Sequence, residues 1–570
     1  MKEKNISRLR IVSIFIVLVV IALVSRLYYV QIIYGDEFSD RADRQYTRPS
    51  QNLFDRGSIF LKDKDGRLIS GAGIKTGFTV ALNPSILENA SSTYQALQPI
   101  LTIDKEMFFK RAGKSEDPYE EIAHHISIDV AEKIQELDIT GLRVYKDQWR
   151  YYPGNSLASQ TLGFVAFDGD VLTGVYGMER YYNDILNREG DNLYVNFFAE
   201  VFANLNKTIF SQANEREGDV VTSLEPSVQL YLESKLREIH SKWNSRLTAG
   251  IIINPQNGSI YALAVYPTFD ANNFSGEEFT SIFSNPLVEN IYEMGSIIKT
   301  LTMAAGLDSG AVTAKTTYYD HGFVDIDGYT ISNFDSKGRG RVNMQEVLSQ
   351  SLNTGAVFVS MEMGNDVFAK YMKSYGVGEE TGIDLPNESA GLISNLDSPR
   401  NIEYATASFG QGIAMTPIAT VRALSVLANG GVLVTPHIAQ VIKYRNGLSK
   451  KVSFNDGERV IKEASSREIT RMLVKVVDEA LLGGTVKITN YSIAEKTGTA
   501  QIAKVDERGY YDDRFLHSFF GYFPAYDPEF LIFLYTVEPK QVRYASQTLT
   551  HPFIDIVKFL TNYYEIPPDR

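Results

Sequence analysis

The 570-residue sequence contains no cysteine. Thiol catalysis, cysteine-ligated metals and disulfides are excluded together. Histidine is sparse: the seven residues fall at 124, 125, 240, 321, 437, 517 and 551, with no His-Glu-x-x-His or comparable spacing. No motif for a metal enzyme is left. Positive charge is also short, with 56 Lys and Arg against 69 Asp and Glu and a net charge of -13. That balance argues against nucleic acid as a partner. What remains is 44% hydrophobic and 22% charged, a globular composition at a length that calls for two or three domains.

Residues 1–10 carry Lys2, Lys4, Arg8 and Arg10 against Glu3. From Ile11 to Val24 only Ser13 is polar, and Leu27 to Tyr34 extends the apolar run past Arg26. Segment 11–34 is long enough to span a bilayer, with Tyr28, Tyr29 and Tyr34 at the far interface. The basic flank places residues 1–10 in the cytoplasm as a short tail. No Ala-x-Ala site follows, and Arg26 stands where one would belong, so the segment reads as an uncleaved membrane anchor. Everything from residue 36 on is then expected outside the cytoplasm.

Residues 36–218 read as one module. Lys62 to Ile69 has the pattern of a hairpin with Asp65-Gly66 at its turn. Phe78 to Leu82 is strand-like, Ile128 to Leu137 helical, and glycines punctuate short elements around Gly163 and Gly174 to Tyr182. No catalytic constellation appears, so this part is read as a binding or spacing module. A second unit, 219–570, opens with a helix from Leu224 to Ile239 that has Pro226 in its first turn. Thr248–Ile253 and Ser259–Val265 form two β-rich runs. A largely helical middle follows. Thr416-Pro417 begins one helix there, and Ser465-Ser466-Arg467-Glu468 reads as a capping box for another that runs to Leu482. Ser492–Ala503, Ser518–Phe523 and Phe530–Val537 are three closing strands, with a last helix from about Pro552. Two strands in front and three behind predict a mixed α/β fold: a central antiparallel five-stranded sheet with helices on both faces.

The chemistry concentrates in this second unit. Ser296 and Lys299 lie three residues apart at the start of an apolar helix, on one face, in the only Ser-x-x-Lys of the chain. A serine needs a base to become a nucleophile. A lysine with its reference pKa of about 10.4 is a poor base at neutral pH. Burial and a second cation would both lower that value. Ser351-Leu352-Asn353 follows a helical segment, and Lys496-Thr497-Gly498-Thr499 sits on the first closing strand. Lys496 can supply the second cation, and Gly498 can let a substrate backbone approach the sheet edge. Lys75-Thr76-Gly77 repeats the tripeptide near the anchor, where it reads as an ordinary strand entry.

Tyr292-Glu293-Met294-Gly295-Ser296, Ser408-Phe409-Gly410-Gln411-Gly412, Ala428-Asn429-Gly430-Gly431 and Lys496 to Gln501 resemble the transpeptidase domain of class B penicillin-binding proteins. Asp55-Arg56-Gly57 and Gly174 to Glu179 resemble their N-terminal, dimerisation-type pedestal. Met294 stands where the family usually has proline, Ile297-Ile298 replaces Thr-Phe, and Thr222-Ser223-Leu224 replaces Thr-Ile-Asp. The resemblance implies a D,D-transpeptidase that cross-links peptidoglycan stem peptides in cell-wall synthesis, on lipid-linked precursor and nascent glycan, and that β-lactams acylate. It implies Ser296 as nucleophile, Lys299 as base, Ser351 as proton relay, and Asn353 bonded to Lys299 and the substrate amide. Lys496 and Thr497 would hold the substrate carboxylate, beside Gly498. The backbone N–H groups of Ser296 and Thr499 would form the oxyanion hole. No cofactor or metal is implied. A polytopic membrane glycosyltransferase is the implied partner, since no polymerase-sized domain precedes the pedestal. Three other readings stay open: a D,D-carboxypeptidase or β-lactamase-like hydrolase, a penicillin-responsive sensor, which normally needs more membrane spans, and a catalytically idle scaffold that regulates a membrane glycan polymerase.

Overall fold

The computed structural model describes residues 54–188 and 217–570, apart from 170, 455, 456, 505, 506 and 508. The expected anchor at 11–34 lies outside the described residues. Among those described, no helix is long and apolar enough to cross a membrane. The chain divides into two compact units. One is built on Lys75–Trp149. The other combines Arg56–Ile74 and Arg150–Arg188 with residues from 217 onward.

In the smaller unit, strand β2 (Leu68–Leu82) contributes its second half to a sheet with β3 (Glu120–Ile126) and β4 (Leu142–Tyr151). Helices Ala90–Leu97, Lys105–Ala112 and Ile128–Gln135 accompany it, with Val80, Leu82, Leu97, Phe108, Ile122 and Ile134 in the core. The repeated Lys75-Thr76-Gly77 lies inside β2. A side chain at Gly77 would lie 2.6 Å from the Ile126 carbonyl oxygen and 2.7 Å from the Trp149 ring, so packing explains this glycine.

In the larger unit, β1 (Ile59–Lys62) forms the expected hairpin with the start of β2, Lys62 opposite Leu68. It also pairs in parallel with β5 (Gly218–Thr222). Arg56 and Glu179, from the two pedestal-like motifs, meet in a dry interior. Arg56 Nε lies 2.6 Å from Glu179 Oε2, and Arg150 Nε 2.5 Å from Glu179 Oε1. Arg150 also donates to the Gly57 carbonyl at 2.7 Å. A buried carboxylate is tolerated here because two guanidinium groups compensate it.

Helix α1 (Pro226–Trp243) leads into β6 (Leu247–Ile253) and β7 (Ile260–Tyr266). Helix α2 (Ile298–Ser309) carries the Ser-x-x-Lys lysine. Then come α3 (Met344–Ser349), α4 (Asn353–Met363), α5 (Pro417–Ala428), β8 (Ala439–Tyr444) and α6 (Glu463–Lys475). Strands β9 (Ala494–Ala503), β10 (Tyr510–Phe523) and β11 (Phe530–Val537) complete the sheet, and α7 (Thr550–Tyr563) follows. The order is β9-β10-β11-β6-β7, antiparallel throughout. One face packs Ile252, Phe519, Ile532 and Leu534 against Leu232 and Leu236 of α1 and Phe553 and Val557 of α7. The other packs Ile251, Phe520, Phe533 and Tyr535 into the cluster that holds α2, α5 and α6.

Two expectations need correction. The strand expected from Ser518 begins at Tyr510, because pairing with β9 continues to Gln501↔Phe515 and, past a register shift, to Ala503↔Tyr510. The helix expected to be capped by Ser465 begins instead at Glu463. Its N-cap, Lys462, makes no side-chain cap, and Ser466 donates to the Leu427 carbonyl at 2.7 Å. It also does not run regularly to Leu482: a π-turn (Val476–Ala480) and a 3-10 turn (Leu481–Gly484) follow Lys475, with Leu482 at φ 47.

Candidate active site

Ser296 lies in a 3-10 turn, Gly295–Ile297, that opens into α2. Its entry is bracketed on several sides. Tyr292 and Met415 exchange backbone hydrogen bonds at 2.9 and 3.0 Å. Glu293 Oε1 accepts from the Gly412 N–H at 2.9 Å and from the Tyr510 hydroxyl at 3.0 Å. The Gly295 N–H donates to Gly410 O at 3.2 Å. Gly295 has φ +64 and Gly410 φ +84, and a side chain at Gly410 would strike the Gly295 backbone. Both conformations are ones that glycine adopts readily. The Ser408–Gly412 stretch therefore acts as a clamp on the loop that carries Ser296, a role that its short glycine pattern alone did not disclose. Met294, at φ -85 and ψ -6, enters the turn without a proline, its side chain buried in the core.

Lys299 is buried, with 1% of its surface exposed. Its Nζ donates to the Ser351 carbonyl at 2.6 Å and to the Ser351 hydroxyl at 3.2 Å. Burial, and then the Lys496 cation, hold its pKa well below the usual lysine range. Ser351 has φ +55, a left-handed conformation uncommon for a residue with a side chain. It turns the chain between α3 and α4. The expected Asn353–Lys299 hydrogen bond is not formed: Asn353 Nδ2 donates to the Ser332 carbonyl at 2.8 Å.

Strand β9 is an edge of the sheet, paired on one side with β10 from Ala494↔Tyr522 to Ala503↔Tyr510. Lys496 is buried, and its Nζ donates to the Thr497 carbonyl at 3.0 Å. Thr499 Oγ1 accepts from the Ala545 N–H at 3.1 Å. Gly498 also has a packing role that its sequence did not disclose. A side chain there would meet Ser518 Oγ and lie 2.7 Å from the Met294 carbonyl oxygen, so the glycine makes room for the loop that carries Ser296. Ser518 Oγ donates to that same carbonyl at 2.9 Å. Glu495, absent from the sequence-based site, is buried beside Lys496, and both its carboxylate oxygens lack a hydrogen-bond partner. Burial pushes Glu495 up and Lys496 down, against their mutual attraction.

Ser296, Ser351, Asn353, Lys496, Thr497 and Thr499 line one cleft of about 1020 Å³. Lys299 and Gly498 stand behind its wall. A half-buried hydroxyl, a desolvated amine, a second hydroxyl and a second cation thus converge from three chain segments. That set suits acyl transfer through a serine.

The penicillin-binding protein transpeptidase domain matches residues 248–558, and the penicillin-binding protein dimerisation domain matches residues 54–192. The chain is 30% identical to stage V sporulation protein D of Bacillus subtilis over 97% of this chain and 85% of that protein. The chain belongs to the class B penicillin-binding proteins. Another member, peptidoglycan D,D-transpeptidase MrdA of Acinetobacter baumannii, is 28% identical over 93% of this chain and 85% of its own. The class B fold is shared with penicillin-binding protein 2X of Streptococcus thermophilus (TM-score 0.72, 20% identity, 90% of this chain and 81% of that one). It is shared too with penicillin-binding protein 3 of Mycobacterium tuberculosis, solved with aztreonam (TM-score 0.68, 20% identity, 91% and 98%).

Proposed function

We propose that Ser296 is the acylated nucleophile of this class B protein, a serine-type peptidoglycan D,D-transpeptidase. The observation that carries the assignment is Lys299, one turn beyond Ser296, buried, with its pKa held well below the usual lysine range, and hydrogen-bonded to Ser351. Neutral Lys299 takes the Ser296 hydroxyl proton as Oγ bonds to the carbonyl carbon of the penultimate D-alanine of a stem peptide. The Ser296 and Thr499 N–H groups receive the oxyanion, and losing one such donor typically costs on the order of 3 kcal/mol in the barrier. The carbonyl–nitrogen bond then breaks. Ser351 passes the proton to the departing D-alanine nitrogen, Asn353 orients the substrate amide, and Lys496 with Thr497 holds the terminal carboxylate. An amine from a second stem peptide attacks the ester, releases Ser296 and completes the cross-link. A β-lactam follows the same first step and stops at the acyl-enzyme.

Fluorescent penicillin added to the full-length chain, beside Ser296→Ala, tests this by gel and intact mass. A persistent label on the parent alone is expected. A label that forms and decays within seconds would turn the reading to hydrolysis, and its absence from folded protein to a scaffold.

The basic 1–10 segment and the apolar 11–34 segment support a single-pass anchor in the cell membrane, with the catalytic unit outside the cytoplasm. A C-terminal phosphatase reporter should be active; an inactive phosphatase with an active cytosolic reporter would reverse the topology. The pedestal-like region supports pairing with a polytopic glycosyltransferase. That pairing fails if neither co-purification nor stimulation of the polymerase is found.

A further inference from the structure

Helix α4 begins at Asn353, and its N-cap residue, Leu352, makes no side-chain cap. The first N–H groups of a helix need acceptors from elsewhere in that case. Asn333 supplies one across the fold: its Oδ1 accepts the Thr354 N–H at 3.3 Å. The Thr354 hydroxyl lies 3.1 Å from the same oxygen and 2.8 Å from Asp320 Oδ1. The Asn333 amide is fixed from behind. Nδ2 donates to both Asp320 carboxylate oxygens at 3.0 Å, which determines the end that faces the helix. Asp320 is held in turn by the N–H groups of Gly322 at 2.9 Å and Arg339 at 3.0 Å. Asp320, Asn333 and Thr354 are all buried. Ser332, next to Asn333, receives the Asn353 side chain.

The residue two places ahead of Asn353 carries a conformational cost. Ser351 is held at φ +55, and such a residue persists only where its surroundings over-determine it. Leu352 is the uncapped end. We propose that Asn333 is a positioning residue for acylation, an external cap for α4 oriented by Asp320, which holds Ser351 in its left-handed turn and Asn353 against Ser332. The inference rests on the assignment of Ser296 as nucleophile. Through Ser351 it reaches Lys299, whose two acceptors both belong to that residue.

The test uses the full-length chain in detergent and the concentration dependence of fluorescent-penicillin labelling, which separates initial binding from the acylation rate. Asn333→Ala is expected to slow acylation roughly ten- to a hundredfold, with initial binding nearly unchanged. On an Asn353→Ala background the same substitution should cost less than on the parent, because of the two residues that the cap holds only Ser351 is left. Thr354→Val should slow acylation and Thr354→Ser restore it; these two carry the test if Asn333→Ala does not fold. An unslowed variant, or an equal loss on both backgrounds, would overturn the inference while a labelled parent leaves the Ser296 assignment standing. A parent that takes no label would overturn both.

Discussion

The Lys299 amine lies 2.6 Å from the Ser351 carbonyl oxygen and 3.2 Å from the Ser351 hydroxyl, inside the protein and within the field of Lys496. Acylation should therefore rise with pH as Lys299 loses its proton, with a midpoint below the ordinary lysine value of about 10.4. Lys496→Met removes the second cation. It should move that midpoint to higher pH, because a neighbouring positive charge lowers an amine's pKa. The pH profile of β-lactam acylation checks this. A midpoint that stays in place would separate the two lysines electrostatically.

Glu495 gives a prediction of opposite form. Burial raises its pKa, so its contribution to stability is complete below the usual carboxylate range and is lost as pH rises through the folded-state value. Glu495→Gln removes that loss. The melting temperature of the variant should exceed the parent's by more at about pH 8 than at about pH 5. Equal gaps at the two pH values would contradict the assignment.

Glu179 sits between Arg56 and Arg150, 2.6 and 2.5 Å from their Nε atoms. Glu179→Ala would leave two buried cations uncompensated. The expected loss is on the order of 3–5 kcal/mol, the range for breaking a buried pair from one side. Denaturant unfolding monitored on the larger unit measures it, and a loss below about 1 kcal/mol, as at a surface pair, would rule the reading out.

Gly498→Ala tests the loop that carries Ser296. The added methyl would meet Ser518 Oγ and the Met294 carbonyl, so the backbone ahead of Ser296 must shift. Acylation should slow by about tenfold or more, roughly 1.4 kcal/mol in the barrier. Unchanged acylation would show that the loop yields without moving Ser296.

Local periodicity and turn residues disclosed much of the fold. The Lys62–Ile69 hairpin, the Thr416-Pro417 helix start and the runs that became β6, β7, β9 and β11 all have short-range signals. Features set by distant partners were hidden. Ser465 and Ser466 look like caps, yet Ser466 is occupied by Leu427 on another helix. The π-turn at Val476–Ala480 has no comparable local pattern. At the site, Ser296, Lys299, Ser351 and Lys496 stand in motifs whose chemistry is visible in their residue types. Asp320, Asn333 and Glu495 are ordinary polar residues in sequence. Their place depends on Asp320 and Asn333 meeting Thr354 at the start of α4 and on which side chains the sheet encloses.

The sheet also dictates when this protein can exist. Strand β6 pairs at once with β7 on one side, but on the other side its neighbour is β11, from Leu531↔Ile253 to Val537↔Leu247, so the front hairpin waits for most of the domain to be made. Ser296, Lys299 and Ser351 all lie within that interval. While the chain emerges, β6 presents an unpaired edge, and such edges invite pairing with other chains. Long-range pairing of this kind is slow. Nascent chains should thus pass through a vulnerable period in which Ser296 has been synthesised but its site has not been built, and a chain cut short before Phe530 should have no site to inactivate.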